Sequence, residues 1–143
     1  MSPLLREYPE RPIVGVGAVI VRDGRAVLVR RAAEPLAGEW SVPGGVLELG
    51  ETLRAGAERE ALEETGLAVQ AGAVLDVFDS ITRDAEGREH YHFVLIDFLC
   101  RVSGGELRPG GDALEARWVT REELELMNVR ESIVSVIRKG LDA

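Results

Sequence analysis

Short apolar runs separated by turn signals dominate the N-terminal part of the chain. Ile13 to Val21 is almost wholly apolar, which is typical of a buried strand, and its glycines permit close approach of another backbone. The Asp-Gly pair within Arg22 to Arg25 is a favoured two-residue hairpin turn. Ala26 to Arg31 is therefore predicted to return as a second strand. A loop at Glu34 to Glu39 leads to a short strand at Trp40 to Val42.

The pattern becomes helical after the glycine pair Gly44-Gly45. Thr52 is a suitable N-cap residue, and Gly66 is a suitable stop because glycine tolerates the left-handed backbone that often ends a helix. The predicted helix begins at Thr52 and ends at Glu64 or Thr65.

Strands dominate again in the second half. Val69 to Phe78 is predicted to be a bent strand interrupted by Gly72, and Ile81 to Glu89 is predicted to contain a polar turn around Glu86-Gly87. His90 to Val102 is the longest strand candidate, rich in aromatic and β-branched residues. Since its two faces differ little in polarity, we expect it to be central and covered on both sides.

The C-terminal part adds a strand and two helices. Glu115 to Thr120 is the strand, and Thr120 can cap a short helix through Met127, with Glu123 completing a capping box. A last helix is predicted at Glu131 to Lys139. The element order predicts one α+β domain over residues 1–143, an α/β/α sandwich around a mixed sheet, preceded by an irregular polar arm at residues 1–12.

Composition narrows the class of protein. The 143 residues are 45% hydrophobic, which is enough for a real core, and the net charge of −8 argues against a nucleic-acid-binding surface. The single cysteine, Cys100, lies in an apolar run and is expected to be an inert core thiol. The N-terminus has no apolar signal-peptide core, and no apolar run is long enough to span a membrane. A cytoplasmic protein without membrane or nucleic-acid partners is the expectation.

Three carboxylates cluster on the predicted central helix. At 100° per residue, Glu60, Glu63 and Glu64 occupy an arc of roughly 100°, with Arg59 at its edge. A solvated charged face is the ordinary interpretation of such a pattern. Like charges at this spacing repel, however, and one arginine cannot offset three carboxylates. A hard divalent cation such as Mg²⁺, shared with substrate phosphate oxygens, would do so.

The stretch that carries these residues resembles the box of the Nudix hydrolases. Gly45 is followed after five residues by Glu51, and seven further residues lead to Arg59-Glu60-Ala61-Leu62-Glu63-Glu64-Thr65-Gly66-Leu67. Every fixed position of the box matches. Ala61 is a soft departure, since a larger aliphatic residue is commoner there, and it bears on packing more than on chemistry.

The resemblance implies a Nudix fold and cleavage of a nucleoside diphosphate linked to another moiety, with Mg²⁺ or Mn²⁺. By position, Glu60, Glu63 and Glu64 are similar to the carboxylates that bind metal or activate water, and the Gly44 carbonyl is similar to a backbone ligand. Glu51 and Arg59 resemble the pair that fixes the loop against the helix. The division between metal ligand and general base stays open, and a homodimer is possible because dimers are frequent in the family.

Several residues outside the box are further candidates. A late acidic residue often joins the metal site in this family, and Asp112 or Glu115 could supply it. Arg30 and Arg31 could contact phosphate. Trp40 could stack on a base or belong to the core. Weaker candidates are the two histidines of the long strand and the polar loop before it: Arg83, Asp84, Glu86, His90 and His92.

The lead-in Trp40-Ser41-Val42-Pro43-Gly44-Gly45 and the compact length resemble small ADP-ribose pyrophosphatases, so ADP-ribose or a nucleoside-diphosphate sugar is the first choice of substrate. A house-cleaning nucleoside-triphosphate pyrophosphatase of the MutT type is the alternative. A non-catalytic nucleotide sensor is disfavoured by the complete set of glutamates. A prenyl-diphosphate isomerase would need a suitably placed cysteine acid, which Cys100 does not provide.

Overall fold

The computed structural model describes residues 6–143. Within them the chain forms seven strands and three helices, which in chain order are β1 (Ile13–Arg22), β2 (Arg25–Arg31), β3 (Trp40–Ser41), β4 (Gly44–Val46), α1 (Leu53–Thr65), β5 (Leu67–Arg83), β6 (Glu89–Gly105), β7 (Ala113–Val119), α2 (Arg121–Leu126) and α3 (Glu131–Asp142). Residues 1–5 of the predicted arm lie outside this range, and residues 6–12 form neither helix nor strand.

Strand β1 organises a mixed sheet. It runs parallel to β6 from Ile13 to Ile20. On its other side it pairs antiparallel with β4 at Gly15–Gly17 and then with β2 at Val21–Arg22. Strand β5 lies antiparallel to β6, and β2 also pairs with β3 and β7. The predicted central position of the long strand β6 is confirmed, because it lies between β1 and β5.

Helices cover both faces of the sheet. Alternate residues of β1 and β6 point to opposite faces because side chains alternate along a strand. One face, with Val16, Ile96 and Phe98, packs against Ala57 and Ala61 of α1. The other face packs against α2 and α3 through the cluster Val19, Ala26, Leu28, Leu124, Val134, Val136 and Ile137. Full burial of each large apolar side chain contributes about 1.5–3 kcal/mol. The predicted α/β/α sandwich is confirmed.

The ends of α1 are held as predicted. The Thr52 hydroxyl accepts a hydrogen bond from the Ala55 N–H at 3.1 Å. Gly66 has φ +73°, and its N–H donates to the Leu62 carbonyl at 3.0 Å. A side chain at Gly66 would also collide with the Glu106 carbonyl, 2.5 Å from the position of a Cβ atom. Glycine is therefore required here by both conformation and space.

The predicted capping box of α2 is also present. The Thr120 hydroxyl accepts from the Glu123 N–H at 3.1 Å, and the Glu123 carboxylate accepts from the Thr120 N–H at 3.0 Å. These bonds hold the pKa of Glu123 below its usual range.

The polar segment Ile81 to Glu89 is more ordered than predicted. Its first three residues continue β5, and the turn is confined to residues 84–88. The Asp84 carboxylate accepts from the backbone N–H groups of Glu86 and Arg88 at 2.9 and 3.0 Å. Because the Asp84 side chain accepts hydrogen bonds from the backbone of the turn, the residues on either side of the turn can pair across the β5–β6 hairpin.

Two further boundaries differ from the prediction. Gly44–Val46 is a strand that pairs closely with β1, because the glycines of β1 carry no side chains there. A short strand that contains two glycines has no apolar run from which the sequence could predict it. Helix α3 extends to Asp142, beyond the predicted end at Lys139. The bend predicted at Gly72 corresponds to an irregular register between Ala71 and Val74.

The cysteine is a core residue, as predicted. Cys100 is 1% exposed, and burial raises the pKa of its thiol to about 12. It is thus a neutral apolar group at neutral pH. None of the helices within residues 6–143 combines the length and apolar character needed to cross a membrane.

Candidate active site

Arg59 is the hub of the charged face of α1. Its guanidinium donates two hydrogen bonds to Glu51, at 2.6 and 3.0 Å, and one to the Val46 carbonyl at 3.1 Å. A further nitrogen donates to Glu60 at 2.8 Å and lies 3.4 Å from Glu63. The ion pair between Arg59 and Glu51 lowers the pKa of Glu51 and raises that of Arg59. Arg59 and Glu51 therefore tie the loop before α1 to the helix.

Glu64 is the buried carboxylate of the helix, and Glu60 is partly buried. The Glu60 side chain is 13% exposed, and burial raises its pKa although Arg59 opposes the shift. Glu64 is 8% exposed, and burial raises its pKa to about 7. Glu63 is different, since its side chain is 53% exposed. The predicted arc therefore contains one buried, one partly buried and one exposed carboxylate.

The glycine pair before the helix receives these carboxylates. The Gly44 N–H donates to the Glu64 carboxylate at 3.0 Å. A Cβ atom at Gly45 would lie 2.5 Å from a carboxylate oxygen of Glu60. Because β4 has no side chains at these positions, both carboxylates can lie directly against its backbone.

Asp112 reaches this region and Glu115 does not. The loop that carries Asp112 crosses the end of α1, where the Gly110 N–H donates to the Glu64 carbonyl at 3.2 Å. The Asp112 carbonyl accepts from Ala32 at 2.8 Å, which anchors the loop to the end of β2. The Asp112 charge contributes to the raised pKa of Glu64. Glu115 instead pairs with Arg30 at 3.0 Å, away from the glutamates.

Two depressions meet at the glutamates. The first, which we call the acidic groove, is lined by apolar residues of β1 and β4 and by the charged residues Arg6, Arg11, Glu48, Glu51, Arg59, Glu60, Glu63, Glu64 and Asp112. The second, the apolar cleft, has a volume of about 210 Å³. It shares Glu60, Glu64 and Asp112 with the groove and extends between the sheet and the start of α3.

Arg31 and Trp40 line the apolar cleft, whereas Arg30 does not, and a contact of any of the three with substrate stays a prediction. Arg31 and Arg30 are neighbours on β2 and point in opposite directions. Arg31 donates to the Pro35 carbonyl at 2.9 Å and its charge opposes the rise in the pKa of Glu64. Trp40 is half-buried, contacts the core beneath α3, and lies under the guanidinium of Arg117.

The weaker candidates lie elsewhere. His90 contacts Glu7 at 3.1 Å and stacks on Tyr8, and Arg83 approaches Glu89 at 3.9 Å on the surface. The other three, Asp84, Glu86 and His92, also lie outside both depressions. These residues support the β5–β6 hairpin instead of the glutamate site.

Asp97 was not among the predicted site residues. It is 4% exposed, lies on β6 opposite Gly17, and lines the apolar cleft. Burial and the nearby Asp76 raise its pKa to about 6. The sequence does contain a signal that could have identified Asp97. It is the lone carboxylate in the apolar stretch from Phe93 to Cys100, which is an unusual position for an ionisable side chain.

The donor set suits a divalent cation that prefers oxygen. The oxygen donors near the junction are of the type that Mg²⁺ and Mn²⁺ accept, namely the carboxylates of Glu60, Glu63, Glu64 and Asp112 and the Gly44 carbonyl. Within residues 6–143, no three acidic, histidine or cysteine side chains already form a closed metal cage. Glu60 and Glu63 turn toward Arg59 instead, so the carboxylates would have to shift toward an ion.

Comparison with known proteins agrees with this geometry. The NUDIX domain family model matches residues 11–139. The chain therefore belongs to the Nudix family.

Individual relatives carry different names. The chain is 39% identical over 107 residues to an ADP-ribose pyrophosphatase of Methanocaldococcus jannaschii, a match that covers 75% of this chain and 61% of the relative. It is 38% identical to a MutT-like protein of Streptomyces ambofaciens, with 78% and 66% covered. It thus spans slightly less than two thirds of the length of both relatives.

A solved structure matches nearly end to end. The MutT NUDIX hydrolase of Burkholderia pseudomallei is 32% identical, with a TM-score of 0.77, and the match covers 91% of this chain and 98% of that one. The predicted Nudix fold is therefore confirmed.

Proposed function

We propose that this chain is a divalent-metal-dependent pyrophosphohydrolase that cleaves the diphosphate of ADP-ribose or of a nucleoside-diphosphate sugar. The observation that carries the proposal is the junction of the two depressions. Partly buried Glu60 and buried Glu64 lie where the acidic groove opens into the apolar cleft. A diphosphate could lie at this junction while the group attached to it occupies the cleft.

Glu60, Glu63, Glu64, Asp112 and the Gly44 carbonyl would hold Mg²⁺ or Mn²⁺. When bound, such an ion supplies neutralisation of phosphate charge and a lowered pKa for an attacking water. Glu60 or Glu63 would take the proton from that water. Glu63 has the freedom to do so, since its side chain is half exposed and its nearest Arg59 nitrogen is 3.4 Å away.

Arg59 and Glu51 would act by positioning. Their paired hydrogen bonds hold the loop before α1 and orient Glu60. Arg31, on the cleft wall beside Glu64, is a candidate for contact with a phosphate oxygen. Trp40 offers an aromatic face to the cleft. Arg30, which is bound to Glu115 and to the Gly38 carbonyl, is a poorer candidate.

The choice of ADP-ribose is supported by the name of the archaeal relative. A nucleoside-triphosphate pyrophosphatase is the second candidate. It is supported by a putative 8-oxo-dGTP diphosphatase of Mycobacterium tuberculosis, which is 39% identical over 115 residues, with 78% of this chain and 75% of the relative covered. A small-molecule nucleotide is the partner in both cases, and the cytoplasmic location and a homodimer stay predictions.

The test is a substrate panel with product identification. Purified protein is incubated with ADP-ribose, nucleoside-diphosphate sugars, dinucleoside polyphosphates and nucleoside triphosphates, with Mg²⁺, with Mn²⁺ or with a chelator. Release of AMP and ribose phosphate from ADP-ribose, abolished by chelator and restored by the ion, is expected. Release of pyrophosphate from triphosphates alone would favour the second candidate, and no hydrolysis of any member would refute both.

A further inference from the structure

Asp97 is a buried carboxylate that the proposed hydrolysis leaves without a role. Within residues 6–143, no side-chain or backbone donor bonds to it, and no positive charge is close enough to lower its pKa. The charge that acts on its pKa is that of Asp76, on the neighbouring strand β5, which is also negative and lies 3.9 Å from the Lys139 ammonium. A carboxylate buried in this way costs stability unless a partner arrives from outside the protein.

The carboxylate faces the apolar cleft. Residues 6–143 contain no completely enclosed side-chain oxygen or nitrogen that lacks a hydrogen bond, so the small exposed part of Asp97 must include its oxygens. Asp97 lies against Gly17 on the adjacent strand, and a Cβ atom at Gly17 would overlap a carboxylate oxygen. The absence of a side chain at Gly17 therefore leaves the room in which the carboxylate lies.

Among residues 6–143, three arginines line the cleft, and two of them are engaged elsewhere. Arg130 donates to Glu39 at 2.9 Å, and Arg31 donates to the Pro35 carbonyl. Neither these two nor the third, Arg6, lowers the pKa of Asp97. The carboxylate is therefore available to a donor group of a molecule that enters the cleft.

The walls of the cleft favour a flat, weakly polar group. They include the aromatic and aliphatic side chains Trp40, Val42, Phe78, Phe93, Leu95 and Ile133. Such walls suit a nucleobase, which presents an apolar face for stacking and polar atoms only at its edge. A ribose or hexose would instead require a polar partner for each hydroxyl.

The distance to the proposed diphosphate site suits a nucleotide. Asp97 pairs with Gly17, and Gly17 pairs with Gly44, whose N–H holds Glu64. Two strand spacings separate Asp97 from Gly44, or roughly 10 Å between backbones. A phosphate near Glu64 and a base near Asp97 would thus belong to one molecule.

We propose that the Asp97 carboxylate accepts a hydrogen bond from the exocyclic amino group of the substrate base and thereby selects amino-bearing bases such as adenine over carbonyl-bearing bases such as hypoxanthine. This inference rests on the proposed function for its ligand class. The selection has two parts, since an amino group donates to the carboxylate whereas a carbonyl oxygen would face it with like partial charge. The selection belongs to the ionised carboxylate, since a protonated carboxyl could donate its O–H to a carbonyl oxygen.

The test uses matched adenine and hypoxanthine ligands. Calorimetry measures binding of AMP and IMP, and kinetics compares kcat/KM for ADP-ribose and its inosine analogue with Mg²⁺. The wild-type protein should favour adenine by about 10- to 100-fold, the effect of one hydrogen bond to a charged group. Asp97→Asn should abolish or reverse this preference, because its amide donates to a carbonyl.

Asp79→Asn is the matched control. Asp79 is an exposed aspartate on β5 between Phe78 and Ser80, which line the cleft, so it points away from the cleft. This variant should keep the wild-type preference for adenine. Asp97→Ser, a smaller side chain, serves as a second test if Asp97→Asn does not fold. The preference of the wild-type protein for adenine over hypoxanthine can be measured without any variant.

The outcomes separate the two proposals. Hydrolysis without base preference would refute the role of Asp97 and leave the proposed function intact. Preferential binding of AMP without hydrolysis would refute the proposed function and support the base contact. No binding of either nucleotide would overturn the inference. A preference for ribose over deoxyribose that Asp97→Asn removes, with no effect on the base, would assign Asp97 to the sugar and overturn it as well.

Discussion

The acidic groove and the apolar cleft meet at Glu60 and Glu64 but differ in how they are built. The charged core of the groove comes from one continuous stretch, in which the hub Arg59 binds Glu51 and Glu60. The cleft is assembled from segments far apart in the chain, among them Trp40, Asp97 and Ile133. Acidic side chains outnumber the arginines that line the groove, and Arg59 offsets only part of their charge. Within residues 6–143, the Asp97 carboxylate in the cleft has no hydrogen-bond donor and no positive neighbour that lowers its pKa.

This difference separates reaction from specificity. A local motif can place carboxylates at fixed spacing on one helix whatever the remainder of the chain does. A cleft wall made from distant strands can change its side chains without disturbing that helix. We therefore expect substitutions in the groove to affect turnover and substitutions in the cleft to affect the choice of substrate.

The largest expected effect is on turnover through the groove. Glu64→Gln and Glu63→Gln should each lower kcat on the best substrate by about 10²–10⁴-fold, because each removes a carboxylate needed to hold the ion or to accept a proton. Circular dichroism should show an unchanged fold. Glu122→Gln, an exposed glutamate on α2, is the control and should keep full activity. Near-wild-type kcat in both groove variants would contradict the assignment.

The second effect compares a half-buried ion pair with an exposed one. Arg59→Ala should lower the free energy of unfolding by about 1–3 kcal/mol, because Glu51 and Glu60 lose their partner in a partly buried site. Arg30→Ala removes an exposed pair with Glu115 and an exposed hydrogen bond to the Gly38 carbonyl, and should cost less than about 1 kcal/mol. Urea unfolding at neutral pH measures both. Equal losses would show that Arg59 is not the structural hub.

The third effect concerns pH and the cleft. The pKa of Asp97 is raised from 3.8 to about 6, so the unfolded chain ionises before the folded one. Its contribution to stability is complete below pH 3.8 and is lost as the pH rises through 6. Asp97→Asn should therefore reduce the fall in unfolding free energy between pH 4 and pH 7 by about 1–3 kcal/mol. Parallel pH profiles for the variant and the wild type would disprove the buried ionisable state.

The smallest effect compares the caps of two helices on opposite faces of the sheet. Thr52→Ala and Thr120→Ala should each lower the unfolding free energy by about 1 kcal/mol, because each leaves a helical N–H without its acceptor. Thermal unfolding measures the loss, and Thr→Ser at each position should restore most of it. A loss in the alanine variants that serine does not rescue would indicate packing instead of capping.

Prediction from sequence succeeded where the signal is local. The hairpin at Asp23-Gly24, the caps Thr52 and Thr120, and the long strand around Phe98 all follow from patterns within a few residues. The strand at Gly44–Val46 was missed because its pairing partner is on β1, far away in the chain. The extension of β5 to Arg83 was missed because the Asp84 side chain, not the backbone pattern, determines the length of the turn.

The sequence by itself determined which carboxylates share one face of α1, because one helix converts the spacing from Arg59 to Glu64 directly into geometry. The catalytic chemistry that we propose is what the resemblance of Gly45 to Leu67 to the Nudix box implies. Only the tertiary structure decided which outlying residues join it. Asp112 and Arg31 reach the glutamates, while Glu115 and Arg30 pair with each other instead. Asp97 became a candidate only when strand pairing laid it against Gly17, because burial and the lack of a partner are properties of the folded chain.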